Sequence, residues 1–342
     1  MKGLIYLSGE YPDLSRAELE GVLLSMGKGV GFKVEDEIVC LLDEEVPPGL
    51  AERMGLCHFT GTVLEEVTGG LEEISDAVLE TVKKTGRGRR IAFTIRNPKG
   101  RVCVKPARLH DLLTGLIREE GIKLDFGKPD ETFFIVLGRT NLIGAVEGIT
   151  DRPRTLSRRN RFLPFQRPVV MDPRMARAMA NMSGLTPGES VLDPFAGPGG
   201  LASECADIGL RVVGVEVDPR VREGAVKNLE HMGVGGRVRM ICGDSRELPW
   251  RLDEKTRGPF SGIVTDPPFG RSARVEGDSP LELVAGVINR GVEDIRKGGV
   301  VVIDTIDPYL LDLLEGLKQE KTVQVRVHRS MIRHFSRLRK VH

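Results

Sequence analysis

Two short stretches hold the residues best suited to chemistry: Asp193-Pro194-Phe195-Ala196-Gly197-Pro198-Gly199-Gly200 and, further along, Asp266-Pro267-Pro268-Phe269-Gly270. In the first, Gly197, Gly199 and Gly200 let the backbone approach a ligand closely and turn sharply into a helix. Pro198 suits a first helical position, where no backbone N–H is needed. A dinucleotide loop would read GxGxxG. Here an acid leads instead, which suits a cation better than a pyrophosphate. In the second stretch two prolines fix the backbone, so that carbonyls point into a site instead of pairing in a sheet. Asp266 and the Pro267 carbonyl are then acceptors for the hydrogens of an amine. Phe269 offers a face for a planar ring, a stacking contact worth roughly 1–3 kcal/mol. The stretch holds no cysteine, which argues against covalent attack on a pyrimidine carbon.

Further acids accompany the first stretch. The next strand-like segment ends Val213-Gly214-Val215-Glu216-Val217-Asp218, and the one after it ends Cys242-Gly243-Asp244-Ser245. An acid at the end of a second strand accepts hydrogen bonds from ribose hydroxyls in nucleotide folds. Glu216 is the first choice for that role and Asp218 the second. Asp244 is placed to accept from an adenine amino group. Taken singly, each acid reads as a helix cap or a turn, and Asp218 before Pro219 is a natural N-cap. Acids at three successive strand ends beside a glycine loop point instead to a ligand with an adenosine, an ammonium and a sulfonium, which is S-adenosylmethionine. The expected donor contacts are Asp193, Phe195, Ala196, Gly197, Gly199, Glu216, Val217, Asp244, Ser245 and Asp266. The expected catalytic residues are Asp266, Pro267 and Phe269, acting on the exocyclic amine of a nucleobase by in-line methyl transfer.

The elements that must position these loops are a strict alternation of strands and helices from Met171 onward. Strands are expected at 190–193, 211–217, 238–242, 262–265 and 300–304, and helices at 199–208, 219–232, 280–296 and 308–318. Nearly continuous apolar strands alternating with helices imply a parallel sheet covered on both faces. The segment 322–328, with Val323, Val325 and Val327 on one face, reads as an added antiparallel edge strand. Before Met171 the pattern differs. Residues 1–65 and 66–150 read as two small α+β modules, and 151–170 as a stiff, proline-rich linker.

The 342-residue chain carries a formal charge of +1, which does not favour a nucleic-acid partner, but the distribution is uneven. Arg152, Arg154, Arg158, Arg159, Arg161 and Arg167 crowd the linker, and Arg329, Arg333, Arg337, Arg339 and Lys340 crowd the C-terminus. Arg152, Arg154, Arg158, Arg159, Arg161 and Arg333 are the expected phosphate contacts. The five cysteines show neither CxxC nor Cys/His metal spacing, so no metal site is expected and a reducing cytoplasm fits. No apolar run is long enough to span a membrane, and no secretory cleavage pattern follows the first residues.

Residues 171–342 resemble the class I S-adenosylmethionine-dependent methyltransferases, a Rossmann-like α/β fold. Residues from about 60 to 150 resemble a THUMP domain, an RNA-binding module, preceded by a ferredoxin-like domain. The order of domains, Asp266-Pro267-Pro268-Phe269-Gly270 and the ending Val327-His328-Arg329-Ser330-Met331-Ile332-Arg333 make the whole chain similar to the archaeal tRNA guanine-N2 methyltransferases that act at tRNA position 10. The resemblance implies that Asp266 binds the guanine amine, that the product is mono- or dimethylguanosine, and that tRNA is the substrate. It also implies a small activating zinc-binding subunit as a candidate partner. A monomer is expected. Phe269 stands where Tyr is common, and Pro198 where Thr or Ser is common. The alternatives are guanine-N2 methylation at tRNA position 6, adenine-N6 methylation, which more often has Asn in place of Asp266, and a non-catalytic THUMP-type tRNA-binding protein.

Overall fold

The computed structural model of the protein describes residues 1–29, 31–85, 88–98, 100, 104–168, 170–247, 252, 259–268, 279–329 and 331–341. In chain order its elements begin with β1 (Lys2–Leu7), α1 (Pro12–Ser25), β2 (Lys33–Asp36), β3 (Val39–Leu42), α2 (Leu50–Arg53) and β4 (Cys57–Val67). They continue with α3 (Leu71–Thr85), β5 (Arg90–Arg96), α4 (Pro106–Glu119), β6 (Lys123–Leu124), β7 (Glu131–Val136) and β8 (Asn141–Ile149). After these come α5 (Arg152–Ser157), α6 (Pro173–Met182), β9 (Ser190–Asp193), α7 (Gly200–Asp207), β10 (Arg211–Glu216), α8 (Pro219–His231) and β11 (Val238–Cys242). The last are β12 (Phe260–Thr265), α9 (Pro280–Glu293), β13 (Ile295–Thr305), α10 (Tyr309–Asp312), β14 (Leu317–His328) and β15 (Met331–Lys340). They form two compact units: Met1–Pro12 with Gly31–Glu52 and Cys57–Thr150, and Asp13–Val30 with Arg53–Leu56 and Asp151–His342. Among the described residues no helix is long and apolar enough to cross a membrane.

The first unit is built on one sheet in the order β2-β3-β1-β4-β8-β7-β5-β6. β4 pairs antiparallel with both β1 and β8, so the sheet runs without a break through residue 65, where the sequence suggested a boundary between two modules. Ile74, Val78 and Val82 of α3 and Leu109, Leu113 and Ile117 of α4 recur at helical spacing. Together they bury one face of β5 and β7.

The second unit holds a seven-stranded sheet in the order β11-β10-β9-β12-β13-β15-β14. Its first five strands are parallel to one another, and β15 runs antiparallel between β13 and β14. The inner strands are apolar along their length: Val191, Leu192, Ile263, Val264, Val300, Val301, Val302 and Ile303 are all fully buried. Chain order reverses at β9, whose neighbours are β10 and β12. At such a reversal the loops leave in opposite directions and open a crevice beyond the carboxyl ends of the strands. Asp193 ends β9 and Asp266 follows β12, so the leading acids of both chemically distinctive stretches stand at that end of the sheet.

Two expectations are corrected at the C-terminus. The helix expected over 308–318 is only the short α10; Gly316, at φ +66°, turns the chain into β14. The basic ending is a strand, not a tail. Phe335 and Leu338 of β15 are core residues, while Arg339 bonds Glu320 and Lys340 donates to the carbonyls of Val292 and Ile295. The expected antiparallel edge strand is present as β14.

α1 packs on α6 through Gly21, where an added Cβ would lie 2.1 Å from the Asn181 carbonyl oxygen. One turn away, the buried Glu18 carboxylate accepts from Asn181 Nδ2 and from the Gly55 and Leu56 amides at 2.7–2.8 Å. Gly286, in α9, is exposed and has nothing within reach of an added Cβ. Gly21→Ala is therefore expected to destabilise by about 1–3 kcal/mol, because the helices must separate. Gly286→Ala should stabilise by roughly 0.5–1 kcal/mol through lower chain entropy. Thermal melting of the two variants should move in opposite directions, and equal shifts would contradict this packing.

Candidate functional site at the carboxyl ends of β9, β10 and β12

The glycine-rich loop is held from three sides. Gly214 of β10 is the close approach that admits it: an added Cβ would meet the Met240 Sδ at 2.7 Å and the Ala196 Cβ at 2.9 Å. The Ala196 amide donates to the Val215 carbonyl at 3.0 Å, and the Ser245 hydroxyl donates to the Pro194 carbonyl. Gly197 and Gly199 lie at φ +52° and +85°, a region that side-chain-bearing residues avoid. Gly199 is the N-cap of α7. The third hold is Asn228 of α8, fully buried, whose Nδ2 donates to the Pro198 carbonyl at 3.1 Å and to the Phe165 carbonyl at 3.0 Å. Its Oδ1 accepts from the Phe165 amide. The Phe165 ring lies where a side chain at Gly224 would otherwise be. One asparagine thus ties the loop to the arginine-rich segment.

Asp193 is 2% exposed, and its Oδ1 accepts from the Thr265 hydroxyl at 2.8 Å and the Phe195 amide at 3.2 Å. Burial pushes its carboxyl up to about 7 against these two hydrogen bonds, and the nearby charges of Asp266 and Glu216 raise it further. Glu216, at the end of β10, accepts from the Asp218 amide at 2.9 Å, which orients its carboxylate. Val217 beside it is 64% exposed. Asp218 caps α8, accepting from the Arg220 and Val221 amides, so the cap role wins over the ligand role for that acid. Asp244 is bonded through both oxygens to Arg246, which a ligand amine would have to displace. Ser245 is buried with its hydroxyl donating to the loop carbonyl of Pro194, so its side chain braces the loop. The acids Asp193, Glu216 and Asp266 are set close enough for the last two to raise the first, beside a positive-φ loop, an arrangement suited to a cation. The residues present fit S-adenosylmethionine, whose cation the sequence leads one to expect beside Asp193 and whose ribose beside Glu216.

On the other side of the reversal, Asp266 is half-buried and Pro267 buried; Phe269 lies outside the described residues. Arg333 of β15 reaches Asp266 Oδ1 from its Nη2 at 2.6 Å and also bonds Asp304 at the end of β13. Burial pushes Asp304 up to about 7, with the charge of Asp266 adding to it. Asp266 is likewise raised by burial, and Arg333 opposes the rise. Asp304 was missed in the sequence, although an acid closing the apolar run 300–303 of a parallel strand is the same signal that marked Asp193. Arg333 was expected on phosphate. It is buried because β15 enters the sheet beside β13, and its partners are internal.

The arginine-rich segment is not an extended tether. It forms α5, capped by Asp151, and a 3-10 turn over Asn160–Phe162. Arg158 is 8% exposed and bonds Glu204 at 3.1 and 3.2 Å and Asp207 at 2.6 Å. Arg177 joins the same two acids. Arg154 pairs with Asp207 at 2.5 Å and Arg159 with Asp172 at 3.0 Å. The expectation that Arg158 contacts phosphate is therefore corrected: a guanidinium this buried needs an acid partner, and α7 supplies two. Arg152, Arg161 and Arg167 are exposed, and the Arg161 guanidinium lies 4.6 Å from the Phe162 ring centroid.

Residues 159–334 match the UPF0020 family, described as an RMKL-like methyltransferase domain. A relative from Methanothermobacter thermautotrophicus, a tRNA (guanine(10)-N2)-dimethyltransferase, is 31% identical and covers 97% of this chain and 98% of its own. A protein of the same name from Pyrococcus abyssi is 29% identical, covering 97% of each chain. Among solved structures, TrmN from Thermus thermophilus superposes with a TM-score of 0.62 at 20% identity over 100% of both chains, a likeness of fold.

Because Asp193 titrates near neutrality, a cation that favours its charged form must displace a proton below that point. Affinity for S-adenosylmethionine is expected to fall by up to about tenfold per pH unit below about 7. Calorimetric titration across that range checks the sign. Binding that tightens as pH falls would contradict the placement of the cation.

Proposed function

The chain belongs to the UPF0020 methyltransferase family and to that of the tRNA (guanine(10)-N2)-dimethyltransferases, and from that premise we propose that it methylates the exocyclic N2 of guanosine 10 in tRNA, giving N2-methyl- and then N2,N2-dimethylguanosine. S-adenosylmethionine is the donor and supplies an electrophilic methyl group. The observation that carries this reading is the Thr265–Asp193 hydrogen bond, which joins the donor-side acid to the strand that delivers Asp266.

The guanine N2 is a poor nucleophile, because its lone pair is delocalised into the ring. Asp266 and the Pro267 carbonyl accept its two hydrogens and turn the nitrogen toward the methyl carbon, and Phe269 stacks on the ring. Positioning of this kind supplies much of the acceleration in a displacement between two bound groups. As the new bond forms the nitrogen becomes acidic, and Asp266 takes its proton. The target must leave its stack to arrive here, since the amine is out of reach inside a duplex.

The first 150 residues, the ferredoxin-like segment 1–65 and the THUMP segment 66–150, hold the tRNA on this reading. Exposed arginines of 151–170 bind phosphate on the way to the crevice. The protein works in the cytoplasm as a monomer, and a small zinc-binding subunit is its candidate activator.

Asp266→Ala is expected to lower turnover on unmodified tRNA by about a hundredfold or more while leaving donor affinity near wild type. Loss of donor binding instead would place Asp266 in the donor pocket alone. Replacing Arg161 and Arg167 by alanine should weaken tRNA binding and reduce the slope of log affinity against log salt by about 0.7–0.9 for each phosphate contact removed. An unchanged slope would place this face away from the nucleic acid.

A further inference from the structure

Arg333 is 9% exposed, and its guanidinium sits between two carboxylates on neighbouring elements. Nη2 is 2.6 Å from Asp266 Oδ1, and Nε and Nη2 reach Asp304 Oδ2. Asp304 is fully buried, and its Oδ1 has no hydrogen-bond partner among the described residues. Two acids around one guanidinium leave the local charge at or below zero, which repels phosphate. The backbone fixes where Arg333 stands: it pairs with Val325 of β14, and the next residues, His334 and Phe335, pair with Thr305 and Asp304 of β13.

We propose that Arg333 is a positioning residue of the methyl transfer, anchored by Asp304 and holding the Asp266 carboxylate by Oδ1 so that Oδ2 faces the amine. The inference rests on the role given to Asp266 above. Asp266 follows the last residue of β12, where the ladder no longer constrains it. A carboxylate there has several rotamers, and a planar guanidinium with fixed donors selects one. The bond also favours the ionised form, whose free Oδ2 can accept from the amine and take its proton. Asp304 orients the guanidinium, and the charge of Asp266 pushes the Asp304 carboxyl up. Asp193 of β9 feels the charges of Asp266 and of Glu216 of β10, and β15 also carries the buried His334, which pairs with Thr305 of β13. Arg333 is thus the one cation the described residues place against Asp266.

The sign of each effect makes the test. Single-turnover methylation of an unmodified tRNA transcript is followed against pH with the full chain, and donor affinity of each variant is measured by calorimetry. In Arg333→Gln the rate should fall by about tenfold or more and the acid limb of the profile should move to higher pH, because the charge that favours the Asp266 carboxylate is gone. In Asp304→Asn the rate should also fall, because the guanidinium loses its anchor, while the limb stays nearer wild type than in Arg333→Gln. Donor affinity should stay within about threefold in both, which shows that the fold persists. Arg333→Lys should restore the limb but not the full rate. A limb that does not move in Arg333→Gln overturns the proposal, as does a wild-type rate in Asp304→Asn or donor affinity lost in step with the rate. Asp266→Asn separates the two levels. If it is inactive while the limb of Arg333→Gln stays fixed, this inference alone fails; if it keeps wild-type turnover, the role of Asp266 fails and the inference with it.

Discussion

The site depends on burying several carboxylates at one end of a parallel sheet. Asp193, Asp266 and Asp304 lie at the ends of β9, β12 and β13, three strands in a row, and each is pushed toward its neutral form by burial. Such groups are tolerated only when hydrogen bonds or opposite charges compensate them. Thr265 and the Phe195 amide do so for Asp193, and Arg333 does so for the other two. What remains is a strand-end region lined by acids, the charge a cationic donor and a hydrogen-donating amine would need on the proposed reading.

The neighbouring elements are arranged to keep that end of the sheet rigid. Gly214 lets the loop after β9 lie against β10, Ser245 holds it at Pro194, and Asn228 holds it at Pro198. Asn228 also binds both backbone groups of Phe165, while Arg158 and Arg177 fasten the same region to Glu204 and Asp207 of α7. The segment 151–168 therefore belongs to the second unit and is part of what positions the loop. Only its outward arginines are available to a nucleic acid.

The sequence made the strand–helix alternation and both loops legible, because apolar strands and glycine or proline punctuation are local signals. Asp193, Gly197, Gly199, Glu216 and Asp266 stand at strand ends or in the loop, where their spacing put them. The failures share one cause. Charge in a sequence reads as surface, and a one-dimensional pattern does not reveal which arginines find buried acids. Arg158 and Arg333 looked like phosphate ligands, yet their partners are 46 and 29 residues away in the chain. β15 was hidden for the same reason: its core residues Phe335 and Leu338 are interleaved with Arg333, Arg337 and Arg339. Asp304 was readable in principle, but only once β13 was known to lie beside β12.

The most direct measurement is a crystal structure of the full chain with S-adenosylhomocysteine and a guanosine nucleotide. The account predicts the sulfur compound between Gly197 and Glu216, with the guanine N2 on Asp266 Oδ2 and about 3–4 Å from where the methyl carbon would be. A nucleotide bound elsewhere, or Asp266 turned away from the sulfur, would contradict it.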